Sequence, residues 1–299
     1  MRAYVSGATG FVGRHVAEAL RAGGAEVRDE RVDLVDRHAL ERAVEGCDAV
    51  FHVAALYSYR ASAEEFERVN VAGTRNVVAA CLAQGVSRLV HTSTAGTCGP
   101  VEGRVATEED EPPPWELVVP YKRTKLAAER LVLAAARDSL DAVVVNPTTP
   151  VGPGDRKPTP TGAMIAGVAR GRIPGYVAGT GLNVVDVRDV ARGHVLAHER
   201  GKRGERYLLG GENLALSELF TRIKALAGRG GPLIRVPYAV ARAAAVVRLV
   251  NADEVRLARL PMYFSSEKAH NRLGYDPEPV SSALEIAVRE ALSDREGGA

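Results

Sequence analysis

The chain has 299 residues, 46% hydrophobic and 25% charged, with a formal net charge of +2, the composition of an ordinary globular protein. That length buries a sizeable core in one large or two modest domains, and the balanced charge leaves no basic field for nucleic acid. No apolar run approaches the length of a membrane span, and the first residues enter a strand without a charged and apolar leader, so a cytoplasmic location is expected. The three cysteines, Cys47, Cys81 and Cys98, lack ligand or redox spacing, so buried thiols are expected rather than a metal site or a disulfide.

Residues 2–24, RAYVSGATGFVGRHVAEALRAGG, read as strand, glycine turn and helix. Residues 3–5 form a short apolar run suited to a parallel sheet, and Phe11, Val12, Val16, Ala19 and Leu20 recur at helical spacing. Gly7 lets the chain turn sharply, Gly10 lets backbone approach a pyrophosphate, and Gly13 lets the helix lie close on the strand. Glycine spacing alone also fits a turn that binds nothing. The strand before it and the helix after it select a dinucleotide cradle, with the helix N-terminus aimed at the phosphates.

A second strand is expected at 25–27, and Arg28, Asp29, Glu30 and Arg31 leave little room before Val32, Asp33 and Leu34. A helix follows at 38–44, a buried strand at 49–54, a helix at 64–84 and a strand at 88–91, the alternation of a doubly wound parallel sheet. The acidic, proline-rich stretch 100–120 exceeds an ordinary connection and is expected to rim the active site. A strong helix opens at Tyr121, and the next buried strand is 142–145. The rhythm then stops: helices are expected at 164–170, 190–198, 217–227, 237–250 and 280–292, and short strands at 183–187 and 206–209. The expected fold is α/β, a doubly wound sheet with a smaller, mostly helical C-terminal lobe over the carboxyl ends of its strands.

Tyr121 and Lys125, four apart in YKRTK, share one helix face. A free tyrosine has a pKa of about 10, too high for acid–base work near neutrality, and a neighbouring ammonium is expected to lower it, most effectively with an oxidised nicotinamide ring in place. The same spacing is also ordinary packing on many helices; the glycine turn upstream favours chemistry. Thr92, Ser93 and Thr94 follow a central strand, where a hydroxyl can donate to a substrate's carbonyl oxygen or simply close a turn. His52 and His91 lie inside buried strands and are expected to be satisfied core residues.

The order SGATGFVG, FHVAA at 51–55, HTSTAG at 91–96 and YKRTK resembles an extended short-chain dehydrogenase/reductase, of the NAD-dependent epimerase/dehydratase family. NPTTPVGPGDRKPTPTG at 146–162, YLLGGENL at 207–214 and FSSEKAHNRLGYDP at 264–277 are similar to the dihydroflavonol 4-reductase-like branch, and especially to hopanoid-associated sugar epimerases. The resemblance implies a Rossmann domain over 1–149, with 182–210 returning to it, and a substrate lobe from 150–181 and 211–299. It makes Tyr121 the general acid/base and Lys125 its modulator and a ligand of the nicotinamide ribose. Thr94 takes the position bonding the reacting oxygen, with Ser93 as fallback.

Gly7, Thr9, Gly10, Phe11, Val12 and Gly13 would hold the pyrophosphate, Asp33 and Leu34 the adenine, and Ala54 and Ala55 the span between the rings. Pro147 and Thr149 would lie beside the nicotinamide. Asn70 resembles an anchoring asparagine or a core amide, and Asp189 a structural acid. Within 28–32, Asp29 and Glu30 suit the ribose hydroxyl of NAD, whereas Arg28 and Arg31 suit the 2′-phosphate of NADP, the reading favoured here. The implied activity is hydride transfer to or from a carbonyl or secondary alcohol carbon of a small molecule. The alternatives are a sugar epimerase/dehydratase with retained cofactor and a non-catalytic dinucleotide sensor. Arg172, Arg235 and Arg272 are the candidates for holding a nucleotide diphosphate. Relatives of this type dimerise through helices corresponding to 64–84 and 121–137, so a homodimer is expected.

Overall fold

The apolar runs near residues 4, 50, 90 and 144 lie side by side. A computed structural model describes residues 1–57, 61–246 and 252–293, so positions 247–250 of the helix expected at 237–250 fall outside the described residues. The first half comprises β1 (Arg2–Ser6), α1 (Phe11–Ala22), β2 (Glu26–Arg28), α2 (Arg37–Val44), β3 (Ala49–His52), α3 (Ala63–Phe66), α4 (Gly73–Ala83), β4 (Arg88–Thr92), α5 (Pro120–Asp138) and β5 (Ala142–Pro147). The second half comprises β6 (Thr149–Val151), α6 (Pro160–Ala169), β7 (Gly175–Val177), β8 (Gly181–Asp186), α7 (Val187–Arg200), β9 (Arg206–Leu209) and β10 (Glu212–Ala215). After these come α8 (Leu216–Leu226), β11 (Ile234–Val236), α9 (Tyr238–Val246), α10 (Ala252–Leu257), α11 (Glu267–Leu273) and α12 (Ser281–Ser293).

Six strands form one parallel sheet in the order β2-β1-β3-β4-β5-β9. Val5, Phe51, Val90 and Val143 stand in one row across it, all fully buried, and pack against Val16 and Leu20 of α1 and Val190 of α7. Tyr4, Val50, Leu89 and Ala142 fill the neighbouring row and face Leu40 of α2, Val77 and Cys81 of α4 and Val132 of α5. Burial on both faces is why these strands read as continuous apolar runs. The chain passes from β1 to β2 on one side and to β3 on the other, and a crevice opens beyond the carboxyl ends of β1 and β3.

A second core cluster packs α6, α8 and α12 around Ile165, Phe220, Ile223 and Leu284, and two smaller sheets, β10-β8-β6 and β11-β7, complete the strands. Of residues 182–210, α7 and β9 lie with the large sheet, whereas β8 belongs to the small one.

Two local departures have physical causes. The single helix expected at 64–84 is interrupted by a wider π turn at Glu67–Ala72. It carries Asn70, whose Oδ1 accepts from the Leu56 N–H (2.7 Å) and whose Nδ2 donates to the Leu56 carbonyl (3.2 Å). That tie to the loop after β3 accompanies the local widening of the helix. The 100–120 stretch is a sewn edge. Arg206 donates to the carbonyls of Glu108 and Asp110 (both 2.8 Å), Glu108 Oε1 accepts from the Leu208 N–H (2.7 Å), and Ala106 bonds backbone to backbone with Tyr263 and Ser265.

Buried histidines give the fold a pH dependence. His194 Nδ1 must donate to the Val190 carbonyl (2.7 Å), which leaves Nε2 to accept from Thr92 (2.8 Å), so the ring is neutral. Burial lowers His52 to about 3 and His194 to about 4. The unfolded rings take a proton near pH 6.5, so between these values the unfolded chain holds more protons than the folded one. The stabilisation is complete above about pH 6.5 and is lost as pH falls toward 4, at roughly 1.4 kcal/mol per pH unit for each ring. Urea unfolding at pH 7, 6 and 5 should show this decline, and His194→Gln should flatten it by about one ring's share. A stability unchanged from pH 6 to 5 would contradict it.

Candidate functional site

The crevice begins at the turn after β1. Gly7 sits in the left-handed region at φ 74°, and a Cβ there would lie 2.7 Å from the Ala54 Cα, closer than real Cβ atoms come. A Cβ on Gly13 would overlap the Gly7 carbonyl oxygen, so α1 can start on this turn only with glycine at 13. Gly10 precedes α1 with no side chain capping the helix, and no acidic residue stands in its first turn. The first N–H groups and the positive end of a 12-residue helix therefore face the crevice. Thr9 is exposed beside it, with Phe11 and Val12 half-buried. Ser6 ties the two strand ends together, its Oγ bonded to His52 Nδ1 (2.8 Å) and accepting from the Ala54 N–H (3.2 Å). A backbone cradle that side chains cannot fill, at a free helix N-terminus, fits a dinucleotide pyrophosphate.

The expected adenine end divides. Asp33 uses Oδ1 to accept from the Val35 N–H (3.2 Å), while Leu34 is buried against Gly73. Arg28 turns away from the crevice, donating to the Glu45 carbonyl (2.9 Å) at the end of α2, and Asp29 pairs with Arg21 (2.7 Å). Arg31 is exposed and makes no hydrogen bond or ion pair among the described residues. Ala54 is half-buried and Ala55 exposed after β3, and Pro147 and Thr149 stand at the junction of β5 and β6.

Pro120 opens α5 at the position where its missing N–H costs nothing, so the first helical turn carries Tyr121. Lys125 is 3% exposed and donates from Nζ to the Thr92 carbonyl (2.7 Å), which holds the ammonium at the end of β4. Burial lowers it to about 8, with the Glu129 carboxylate opposing that effect. Tyr121 lies against the Tyr57 ring (centroids 4.5 Å apart, 32° between planes) and edge-on to Phe66 (6.2 Å), with Thr94 nearby. Burial pushes its phenol well above the ordinary value, the Tyr57 phenol adds to this, and the nearby Thr94 hydroxyl opposes it. The lowering expected from Lys125 is not among the causes at work in the protein itself. Tyr121 therefore keeps its proton at neutral pH.

Thr94 opens the short turn Ala95–Thr97, its Oγ1 accepting from the Gly96 N–H (3.3 Å). Ser93, the fallback, is buried with an Oγ that finds no partner among the described residues. Thr94 thus lies near Tyr121, Lys125 is fixed on the strand that leads into Thr94, and the segment after β3 touches the Gly7 turn at Ala54 and the Tyr121 ring at Tyr57. His52 is satisfied as expected, by Ser6 and Thr74, but His91 is not: it is 1% exposed, 5.2 Å from the His52 ring, and neither ring nitrogen has a partner among the described residues. Asp189 is structural, accepting from the Glu278 N–H (2.8 Å) and pairing with Arg192 (2.6 Å).

Tyr57 was absent from the sequence reading, although an aromatic just past a strand's carboxyl end was there to be noticed. A buried pair, Glu116 and Lys122 at 3.3 Å, was also missed; it packs beside Gly96. Among the described residues no helix is long and apolar enough to cross a membrane, and no cluster of three His, Cys, Asp or Glu is placed for a metal ion.

Residues 3–210 match the model of the NAD dependent epimerase/dehydratase family. The chain is 37% identical to a Synechocystis protein provisionally named a dihydroflavonol 4-reductase, over 95% of this chain and 93% of that one. It is 31% identical to a Methylococcus capsulatus protein named sterol demethylase protein B, over 96% and 97%. A crystal structure titled gox2253 superposes with a TM-score of 0.88 at 37% identity, covering 99% of this chain and 98% of the other. With the parallel sheet, the glycine cradle and the tyrosine–lysine pair in place, the chain belongs to the NAD-dependent epimerase/dehydratase family of extended short-chain dehydrogenase/reductases, enzymes that work with NAD or NADP.

Proposed function

We propose that the protein is a reductase that uses NADPH to convert an apolar ketone to a secondary alcohol. The observation that carries this reading is a protonated Tyr121 near the Thr94 hydroxyl just past β4, one helical turn from a buried Lys125 ammonium fixed on the Thr92 carbonyl. A bound nicotinamide dinucleotide supplies the hydride. Tyr121 gives its proton to the carbonyl oxygen, and the Thr94 hydroxyl donates to the same oxygen as charge develops on it. Lys125, fixed on the Thr92 carbonyl, places positive charge where the tyrosinate forms. The tyrosine and lysine together argue against a mere dinucleotide sensor. The names of the two relatives, a dihydroflavonol reductase and a sterol demethylase protein, support an apolar, ring-bearing substrate. The second reading, epimerisation of a sugar nucleotide, is supported by the family name and by the ability of Tyr121 to take the proton back.

Arg31 supports NADP over NAD: with Arg28 spent on α2 and Asp29 on Arg21, it is the free cation of the 28–32 segment. The proposal includes two lobes, residues 1–149 with α7 and β9 against the remainder, a cytoplasmic location, and a homodimer through α4 and α5.

Incubation with flat apolar ketones and with sugar nucleotides should show net NADPH oxidation with the ketones; isomerised sugar nucleotide without net cofactor turnover would refute the reductase. Tyr121→Phe should lower kcat by about 10²–10⁴-fold, and an unchanged kcat would remove Tyr121 as the acid. Arg31→Ala should raise KM for NADPH by roughly tenfold and leave KM for NADH alone, the loss of one charge-assisted contact.

A further inference from the structure

Tyr121 and Lys125 continue, one turn further along the same face of α5, to Glu129. A glutamate here would ordinarily seek solvent, yet Glu129 is fully buried. Its carboxylate is held from three elements. Arg206 of β9 donates to Oε1 (2.7 Å), and Oε2 accepts from Asn146 of β5 (Nδ2, 2.8 Å) and from the Thr97 hydroxyl (2.7 Å). These partners leave the charge little freedom to move.

The same contacts reach the turn that presents Thr94. The Thr97 hydroxyl lies 2.8 Å from the Thr94 carbonyl, which also receives the Thr97 N–H (3.0 Å) and Asn146 Nδ2 (3.2 Å). Thr97 has one hydroxyl hydrogen and Asn146 two amide hydrogens. Three hydrogens serve three acceptors, Glu129 Oε2, the Thr94 carbonyl and Thr97 Oγ, so an acceptor-only carboxylate at 129 leaves none of them unserved, and the Arg206 guanidinium on Oε1 favours that anion. In the other direction the Glu129 charge acts on Lys125. Facing that ammonium are Glu129 on α5, His52 on β3 and His91 on β4, and both histidines are held neutral by burial. Facing Glu129 are Lys125, Arg206 and the buried Cys98 thiol. Glu129 is therefore the anionic group that balances Lys125.

We propose that Glu129 is a positioning residue: its fixed carboxylate locks the turn that carries Thr94 and keeps Lys125 in its ammonium form, so that one buried charge aligns both the hydroxyl and the cation. The inference rests on the catalytic reading of Tyr121, Lys125 and Thr94. It does not make Glu129 catalytic, since it acts through other groups.

The test is spectroscopic and needs no substrate. In protein carrying ¹³C at the lysine Cε, the Lys125 resonance is identified by its loss in Lys125→Met and followed with pH, while hydrogen exchange reads the Thr97 and Cys98 amides of the turn. Glu129→Gln should lower the Lys125 midpoint by about one pH unit or more and speed exchange in the turn at least roughly tenfold. Thr97→Val should speed the exchange and leave the midpoint unchanged, which separates the two arms; a purely structural role would not move the lysine midpoint. If Glu129→Gln does not fold, Glu129→Asp, which withdraws the charge by one methylene, should give a smaller fall of the same sign. A Lys125 midpoint unmoved in the folded variant overturns the inference while the catalytic reading stands. Turnover surviving in Tyr121→Phe overturns the catalytic reading and this inference with it.

Discussion

Lys125 is a cation taken out of water, and much of the site is arranged around that cost. An isolated buried ammonium is strongly unfavourable, so it must be hydrogen-bonded and balanced, or lose its proton. The Thr92 carbonyl supplies the bond at 2.7 Å, and the carboxylate of Glu129 supplies the balance. Because Thr92 ends β4 and the next residues turn into Thr94, the group that satisfies the lysine also lies beside the group that would grip a reacting oxygen. Tyr121 stands one turn earlier on the same helix. The geometry of all three thus follows from where α5 crosses the end of one strand.

Much of this was legible in the sequence because the decisive signals are local. The glycines at 7, 10 and 13 have steric reasons visible in the spacing itself, and the structure shows those reasons as near-overlaps with Ala54 and with the Gly7 carbonyl. Continuous apolar runs marked the central strands, since a strand buried on both faces has no alternation to show. YKRTK placed two side chains on one face. What stayed hidden was decided by partners far away in the chain. Arg28 looked like a phosphate reader and proved to cap α2 through the Glu45 carbonyl, a use that depends on how β2 lies beside that helix. The π turn at Asn70 answers to Leu56 and Thr124, which no periodicity reveals. The phenol of Tyr121 is governed by burial and by Tyr57 more than by the lysine four residues away, since burial is a property of the packed site.

The two histidines at the heart of the sheet illustrate how similar sequence contexts part company. His52 bridges Ser6 and Thr74 and so links the end of β1 to α4. His91, in register with it on the next strand, has a neighbouring ring and no hydrogen-bond partner among the described residues. Both are kept neutral by burial, yet only the first helps to shape the crevice. Strand position alone did not distinguish them; their opposite neighbours did.

The loop sewn along β9 has a consequence for assembly. A strand at the rim of a sheet offers unpaired backbone groups to any passing chain. Here the Leu208 N–H is already spent on the Glu108 carboxylate, and Arg206 fastens the loop down by two carbonyls, so that rim is closed to a newcomer. At the far rim β2 is only three residues long. Two copies of this chain therefore have little means of joining their large sheets into one, and the strands that hold the site stay out of any such pairing.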